Sequence, residues 1–164
     1  MLTGLTNRPS VAALRAQVDR CRRYGPDGAL HLVSLDAFQK VNDTFGHAAG
    51  DALLIDLAGM LRDHLRAADV VARLGGDEFA VLLPRTNRSG ALELAKHIRL
   101  LVRTRITSPD GAHPVSASIG VVVIDGDDAE QLLLRRAGRS RGQAGRLRVS
   151  LPGDLLSRTA QAVP

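Results

Sequence analysis

Two spacings of apolar residues alternate along the chain, and they mark out its elements. "NRPSVAALRAQVDRCRR" has Pro9 and Ser10 where a helix begins, followed by apolar residues at helical spacing. "YGPDG" breaks that pattern, and "ALHLVSLD" is a short apolar run bounded by the turn, which predicts a buried strand. Beyond "VNDTFGH", Leu53, Leu54, Leu57, Ala58, Leu61 and Leu65 recur at helical spacing and predict a helix over about residues 48–66. "DVVARL" and "EFAVLLP" flank Gly75-Gly76, a pair suited to turns that need positive φ, and predict a β-hairpin. "SGALELAKHIRLLVR" carries Leu94, Ala95, Ile98, Leu101 and Val102 on one helical face. "PVSASIGVVVI" is rich in β-branched residues and predicts a strand, "AEQLLLRRAG" a short helix and "RLRVSL" a last strand. The order is α-β-α-β-β-α-β-α with a final β: an α/β (α+β) domain over residues 1–151, then a loose C-terminal tail over 152–164.

Composition narrows the function classes. The 164 residues fit one domain, and 45% apolar with 24% charged residues fits a packed globule. Aromatics are only 2%, so the core is aliphatic, and the stacking faces of a single-stranded nucleic-acid platform are missing. Neither DNA nor RNA is expected as a partner. The net charge of +5, carried almost wholly by arginine, attracts phosphates but is also an ordinary solubilising surface. Cys21 is the only cysteine, which excludes an internal disulfide and a cysteine zinc cluster and fits a reducing compartment. The apolar runs are too short to span a bilayer and no signal-peptide core opens the chain, so a cytoplasmic domain without membrane contact is expected.

The end of the first strand and the tip of the hairpin can meet at one edge of a helix-covered sheet, bringing residues 34–38 to residues 75–78. Glycines there let a backbone approach phosphate, and acids beside them offer oxygen ligands to a hard cation. Five stretches then agree in order and spacing: "LTGLTNR" (2–8), "FQKVND" (38–43), "GHAAGD" (46–51), "RLGGDEF" (73–79) and "VSASIGV" (115–121). With these the chain resembles the GGDEF family, the diguanylate cyclase domains that condense two GTP into cyclic di-GMP. The resemblance implies a palm-like nucleotidyl cyclase fold with a central mixed or antiparallel sheet covered by helices and the GGDEF hairpin at one edge. It also implies a homodimer in which each domain holds one GTP, with Mg2+ or Mn2+ at the phosphates.

On that resemblance, Gly75 and Gly76 are the phosphate loop, and Asp77 is a metal carboxylate. Glu78 is a second acid for metal binding or for deprotonating the attacking hydroxyl. Phe38 belongs to the nucleotide site, and Asn42 and Asp51 are the guanine-recognising pair; a carboxylate suits the N1 and N2 donors of guanine, and an amide the remaining edge. The backbone carbonyl of Leu35 is a further metal ligand. Arg66 and Asp69 match an inhibitory product site, since a guanidinium can grip phosphate bidentately and stack on a base. His97 stands where the secondary arginine of that site is often found. His47, four residues before Asp51, is expected to pack or cap rather than bind metal.

Several positions depart from the family pattern. The first strand of the family ends in two acids one residue apart, but here it reads Ser34-Leu35-Asp36, so a neutral hydroxyl replaces the principal metal carboxylate. Asp36 shares the face of Ser34, because strand side chains repeat every two residues, and it is a substitute ligand set one pair too far along. Gln39 replaces a lysine expected near the triphosphate. "RRAGRSRGQAGRLRV" replaces a segment that carries Asp, Tyr and a phosphate-contacting Lys, leaving Arg139 or Arg141 to supply that charge. Two readings follow: a diguanylate cyclase with impaired turnover, or an inactive domain that binds cyclic di-GMP or GTP as a signalling module.

Overall fold

A computed structural model describes residues 2–5, 8–111, 115–126 and 147–150. Its elements are α1 (Arg8–Tyr24), β1 (Ala29–Leu35), α2 (Phe38–Phe45), α3 (His47–His64), β2 (Val70–Gly75), β3 (Glu78–Leu83), α4 (Arg88–Arg105), β4 (Ala117–Val123) and β5 (Leu147–Ser150). The strands form one sheet in the order β2-β3-β1-β4-β5. All neighbours pair antiparallel except β4 and β5, which run parallel.

Period-two alternation assigns each strand residue to one of two faces. Ala29, Val33 and Leu35 of β1, with Phe79, Val81 and Leu83 of β3 and Ala117, Ile119 and Val121 of β4, pack under α3 and α4. Leu30 and Leu32, with Ala80, Leu82 and Val122, pack against Leu14, Val18 and Cys21 of α1. β1 lies in the middle of the sheet with both faces covered, which is why its sequence reads as a nearly unbroken apolar run. The α/β expectation holds, with the hairpin of β2 and β3 at one edge.

One difference concerns the connection after β1, where two helices occur in place of one. The spacing of leucines marks α3, while α2 has only Phe38, Val41 and Phe45 as apolar residues among polar ones with modest helix propensity. None of its residues is fully buried; Phe38 and Val41 lean on the larger core from its margin. Its stability therefore comes from packing on α3, a tertiary contribution invisible to local periodicity. The predicted helix at "AEQLLLRRAG", the Gly- and Arg-rich segment after it and the tail lie outside the described residues. Leu2–Leu5 dock on α3, where Arg62 donates to the Thr3 carbonyl oxygen at 2.9 Å. Among the described residues no helix is long and apolar enough to cross a membrane.

Candidate functional site

The antiparallel register brings the hairpin tip to the carboxyl end of β1. Ser34 stands opposite Glu78 on β3 and opposite Ser118 on β4, so these three residues share a sheet face. Ser34 donates its hydroxyl proton to the Asp77 carboxylate across the tip. Gly76 has φ 51°, a conformation costly for any residue with a Cβ, and the space above both Gly75 and Gly76 is open. The Arg73 guanidinium donates to the Gly76 carbonyl oxygen from Nε at 2.9 Å and from Nη2 at 2.6 Å. That clamp fixes the turn next to a register shift between Arg73 and Gly75.

Asp36 takes a different direction. Its carboxylate accepts from Ser116 Oγ at 2.5 Å and Ser118 Oγ at 2.6 Å, and its N–H donates to the Ser116 carbonyl oxygen at 2.9 Å. Ser34 thus leans toward the hairpin while Asp36 is held toward β4, although both lie on one face. The two serines were missed from the sequence; their spacing in "VSASIG" put two hydroxyls on one strand face. Between Asp36 and α2, Ala37 has φ 57° without being glycine, a strained corner that starts the helix.

A second cluster lies where α2 packs on α3. Asn42 is half-buried, and its Oδ1 lies in solvent-excluded space with no hydrogen-bond donor. It rests on Gly50, where a Cβ would overlap Oδ1 and stand 3.1 Å from the Phe38 ring. Gly50 is therefore the floor that lets Asn42 and Phe38 reach α3, a role in close approach that the sequence did not reveal. Asp51 follows it on α3, just past the first turn, and is exposed. His47 opens the same helix and is exposed.

Arg66 and Asp69 form a compact turn between α3 and β2. The Arg66 N–H donates to Asp69 Oδ2 at 2.9 Å, and the Asp69 N–H donates to the Arg66 carbonyl oxygen at 3.0 Å. The Asp69 carboxylate orders the backbone here, leaving the Arg66 side chain exposed. His97 on α4 has its ring centroid 5.9 Å from that of His64, near the end of α3, whose Nδ1 donates to the Met60 carbonyl oxygen at 2.8 Å. The turn and the hairpin tip are the two ends of β2, about 20 Å apart at the rise of an extended strand.

The chain matches the sequence pattern described as "Diguanylate cyclase, GGDEF domain" over residues 1–146. It belongs to the GGDEF domain family. The diguanylate cyclase DgcP of Pseudomonas aeruginosa is 37% identical over 147 residues, covering 88% of this chain and 22% of DgcP. The response regulator PleD of Caulobacter vibrioides is 38% identical over 148 residues, 87% of this chain and 33% of PleD. The chain therefore spans between a fifth and a third of the length of these curated relatives. Among solved structures, a GGDEF-only form of TpbB from P. aeruginosa superposes with a TM-score of 0.81 at 34% identity, covering 90% of this chain and 91% of that one. The cyclase SiaD of the same organism, solved with its activator SiaC, gives 0.82 at 31% identity, covering 91% and 60%.

GGDEF cyclases in general depend on a divalent metal, and the residues present test whether this chain could hold one. The candidate oxygens are the carboxylate of Asp77, already bonded by Ser34, that of Glu78, opposite Ser34 on β3, and the Leu35 carbonyl. The Asp36 carboxylate is taken by two serines. Among the described residues, no three His, Cys, Asp or Glu side chains converge to hold a metal ion. Magnesium demands six oxygens in near-ideal octahedral geometry and sheds water reluctantly. This donor set does not fit a metal ion held by the chain itself.

Proposed function

We propose that this GGDEF domain binds GTP at the hairpin and condenses two GTP into cyclic di-GMP with low turnover. The observation that supports it is the meeting of the open Gly75-Gly76 tip with the end of β1, beside Asp77 and Glu78. Backbone amides of the two glycines bind the phosphates, and Asn42, wedged on Gly50, acts with Asp51 on the guanine edge while Phe38 lines the same end. Two copies of the domain face each other as a homodimer. The 3′-hydroxyl of each GTP attacks the α-phosphorus of the other, a phosphoanhydride bond breaks at each, and two pyrophosphates leave. In this reading Glu78 takes up the hydroxyl proton.

Low turnover follows from Ser34. Removing one charged group that acts on a phosphoryl transition state costs about 3 kcal/mol, roughly a hundredfold in rate. GTP as substrate and the lone thiol of Cys21 both fit the cytoplasm. The test is to incubate concentrated protein with GTP and Mg2+ or Mn2+ and to separate products chromatographically. Cyclic di-GMP supports the cyclase reading. Its absence at concentrations where dimers form leaves the second reading, a cyclic di-GMP or GTP binding module. The ordered Arg66–Asp69 turn, with its exposed guanidinium, favours that reading.

A further inference from the structure

The Ser34–Asp77 contact explains how the hairpin can be fixed to β1 without a cation. Two carboxylates brought together at this point repel, and they stay close only when a cation sits between them or one carries a proton. A hydroxyl facing a carboxylate has the opposite sign: it supplies a proton to the anion and forms a charge-assisted hydrogen bond. In this chain that bond joins β1 directly to the hairpin tip. Two further carboxylates share this face: Glu78 lies opposite Ser34 on β3, and Asp36 is drawn to β4 by Ser116 and Ser118, so Asp36 does not restore the missing charge on β1. The Arg73 clamp on the Gly76 carbonyl oxygen holds the other side of the turn. Both of these restraints on the tip are hydrogen bonds within the chain.

We propose that Ser34 is a positioning residue that takes the place of a divalent cation: its hydroxyl holds Asp77 and the phosphate loop in place, so the domain binds guanine nucleotide without first binding a metal. The inference rests on the hairpin being the nucleotide site, as in the reading above, but not on any turnover there. A divalent ion reaches this site only as the chelate of an incoming triphosphate. Ser34→Asp removes the hydroxyl, restores a facing pair of carboxylates and creates a cation requirement where none existed.

Mn2+ alone is the direct probe, because its free six-line electron paramagnetic resonance signal is lost on binding. Nucleotide-free protein is titrated with Mn2+ as wild type, Ser34→Asp and Ser34→Asn, the last matching aspartate in size but not in charge. The expected result is no binding below about 1 mM by wild type or Ser34→Asn, and binding at least tenfold tighter by Ser34→Asp. Binding of nucleotide-free wild type in the micromolar range overturns the proposal, and so does a folded Ser34→Asp protein that leaves Mn2+ free. A second measurement uses wild type only and therefore survives misfolding of the variant. Calorimetric GTP affinity in EDTA and in Mg2+ is expected to agree within threefold, and a tenfold loss in EDTA overturns the inference. Absence of GTP binding in both buffers, with Mn2+ also unbound, instead rejects the hairpin as a nucleotide site. Cyclic di-GMP formation is read separately and can fail without affecting any of these results.

Discussion

His31 makes acid sensitivity a quantitative prediction. It sits in the middle of β1, fully buried, between Val81 of β3 and Val121 of β4, on the face covered by α3 and α4. Neither ring nitrogen has a hydrogen-bond partner. Burial lowers its pKa from 6.5 to about 4; the Ala91 backbone beside the ring offsets part of that effect without a well-formed hydrogen bond to either nitrogen. The folded protein therefore keeps the ring neutral where the unfolded chain already protonates it. Stability is fully present above the unfolded value of 6.5, falls as pH drops, and levels off below about 4. A shift of this size corresponds to about 3 kcal/mol, a large part of the roughly 5–15 kcal/mol that holds a typical domain folded.

The perturbation is His31→Leu, which keeps the volume and removes the titration. Urea unfolding followed by circular dichroism at pH 7, 6, 5 and 4 gives the stability of both proteins. Carboxylates elsewhere titrate alike in the two and cancel in the difference. At pH 7 the leucine variant is expected to be more stable by about 1–3 kcal/mol, because two unpartnered polar atoms leave the core. Between pH 7 and 4 its advantage grows by about 3 kcal/mol more. An advantage that stays constant within about 0.5 kcal/mol over that range refutes the assignment of a neutral, desolvated ring.

Gly50→Ala should weaken GTP binding at least tenfold by calorimetry while lowering Tm by only a few degrees, because Asn42 can swing away from the new methyl group but then leaves its place. Arg66→Ala should abolish calorimetric binding of cyclic di-GMP, and an unchanged affinity removes the turn as a product site. Ala37→Gly should stabilise the fold by about 1 kcal/mol in urea unfolding, since the left-handed φ of 57° is relieved at an exposed corner; no gain means that the corner is unstrained. Phe79→Ala should cost about 3–5 kcal/mol, because the ring is completely buried beside the hairpin.

Strands and long helices were legible because each buries a face, and burial leaves a period of two or 3.6 in the sequence. Leu53, Leu54, Leu57 and Leu61 announced α3, and the β-branched run at residues 119–124 announced β4. The eight residues of α2 left no such trace, since only Phe38 and Val41 of its apolar residues touch the margin of the core and Phe45 is exposed. The approach of Ser34 to the hairpin acids was legible from chain order and glycine placement. What each acid bonds was not. Asp77 and Asp36 look equivalent as letters, yet one meets a hydroxyl across the tip and the other meets two hydroxyls 80 residues later in the chain. Gly50 was invisible for a related reason: its importance is the volume of a side chain it lacks, set by a neighbour on another helix. Such cross-chain pairings are properties of the register.

β2 has a mechanical consequence. It is the outermost strand on its side of the sheet, bonded to β3, with the Arg66–Asp69 turn at one end and the bulged glycine corner at the other. A strand laddered along one edge yields to bending more readily than the central β1, which is laddered along both. A molecule that grips the turn therefore strains β2 first, and that strain arrives at the bulge, where the ladder is already broken. The compliant border of the sheet is a lever with its load at the glycines and its fulcrum in β3. Ser34, on the stiff side, is the fixed point against which the lever moves.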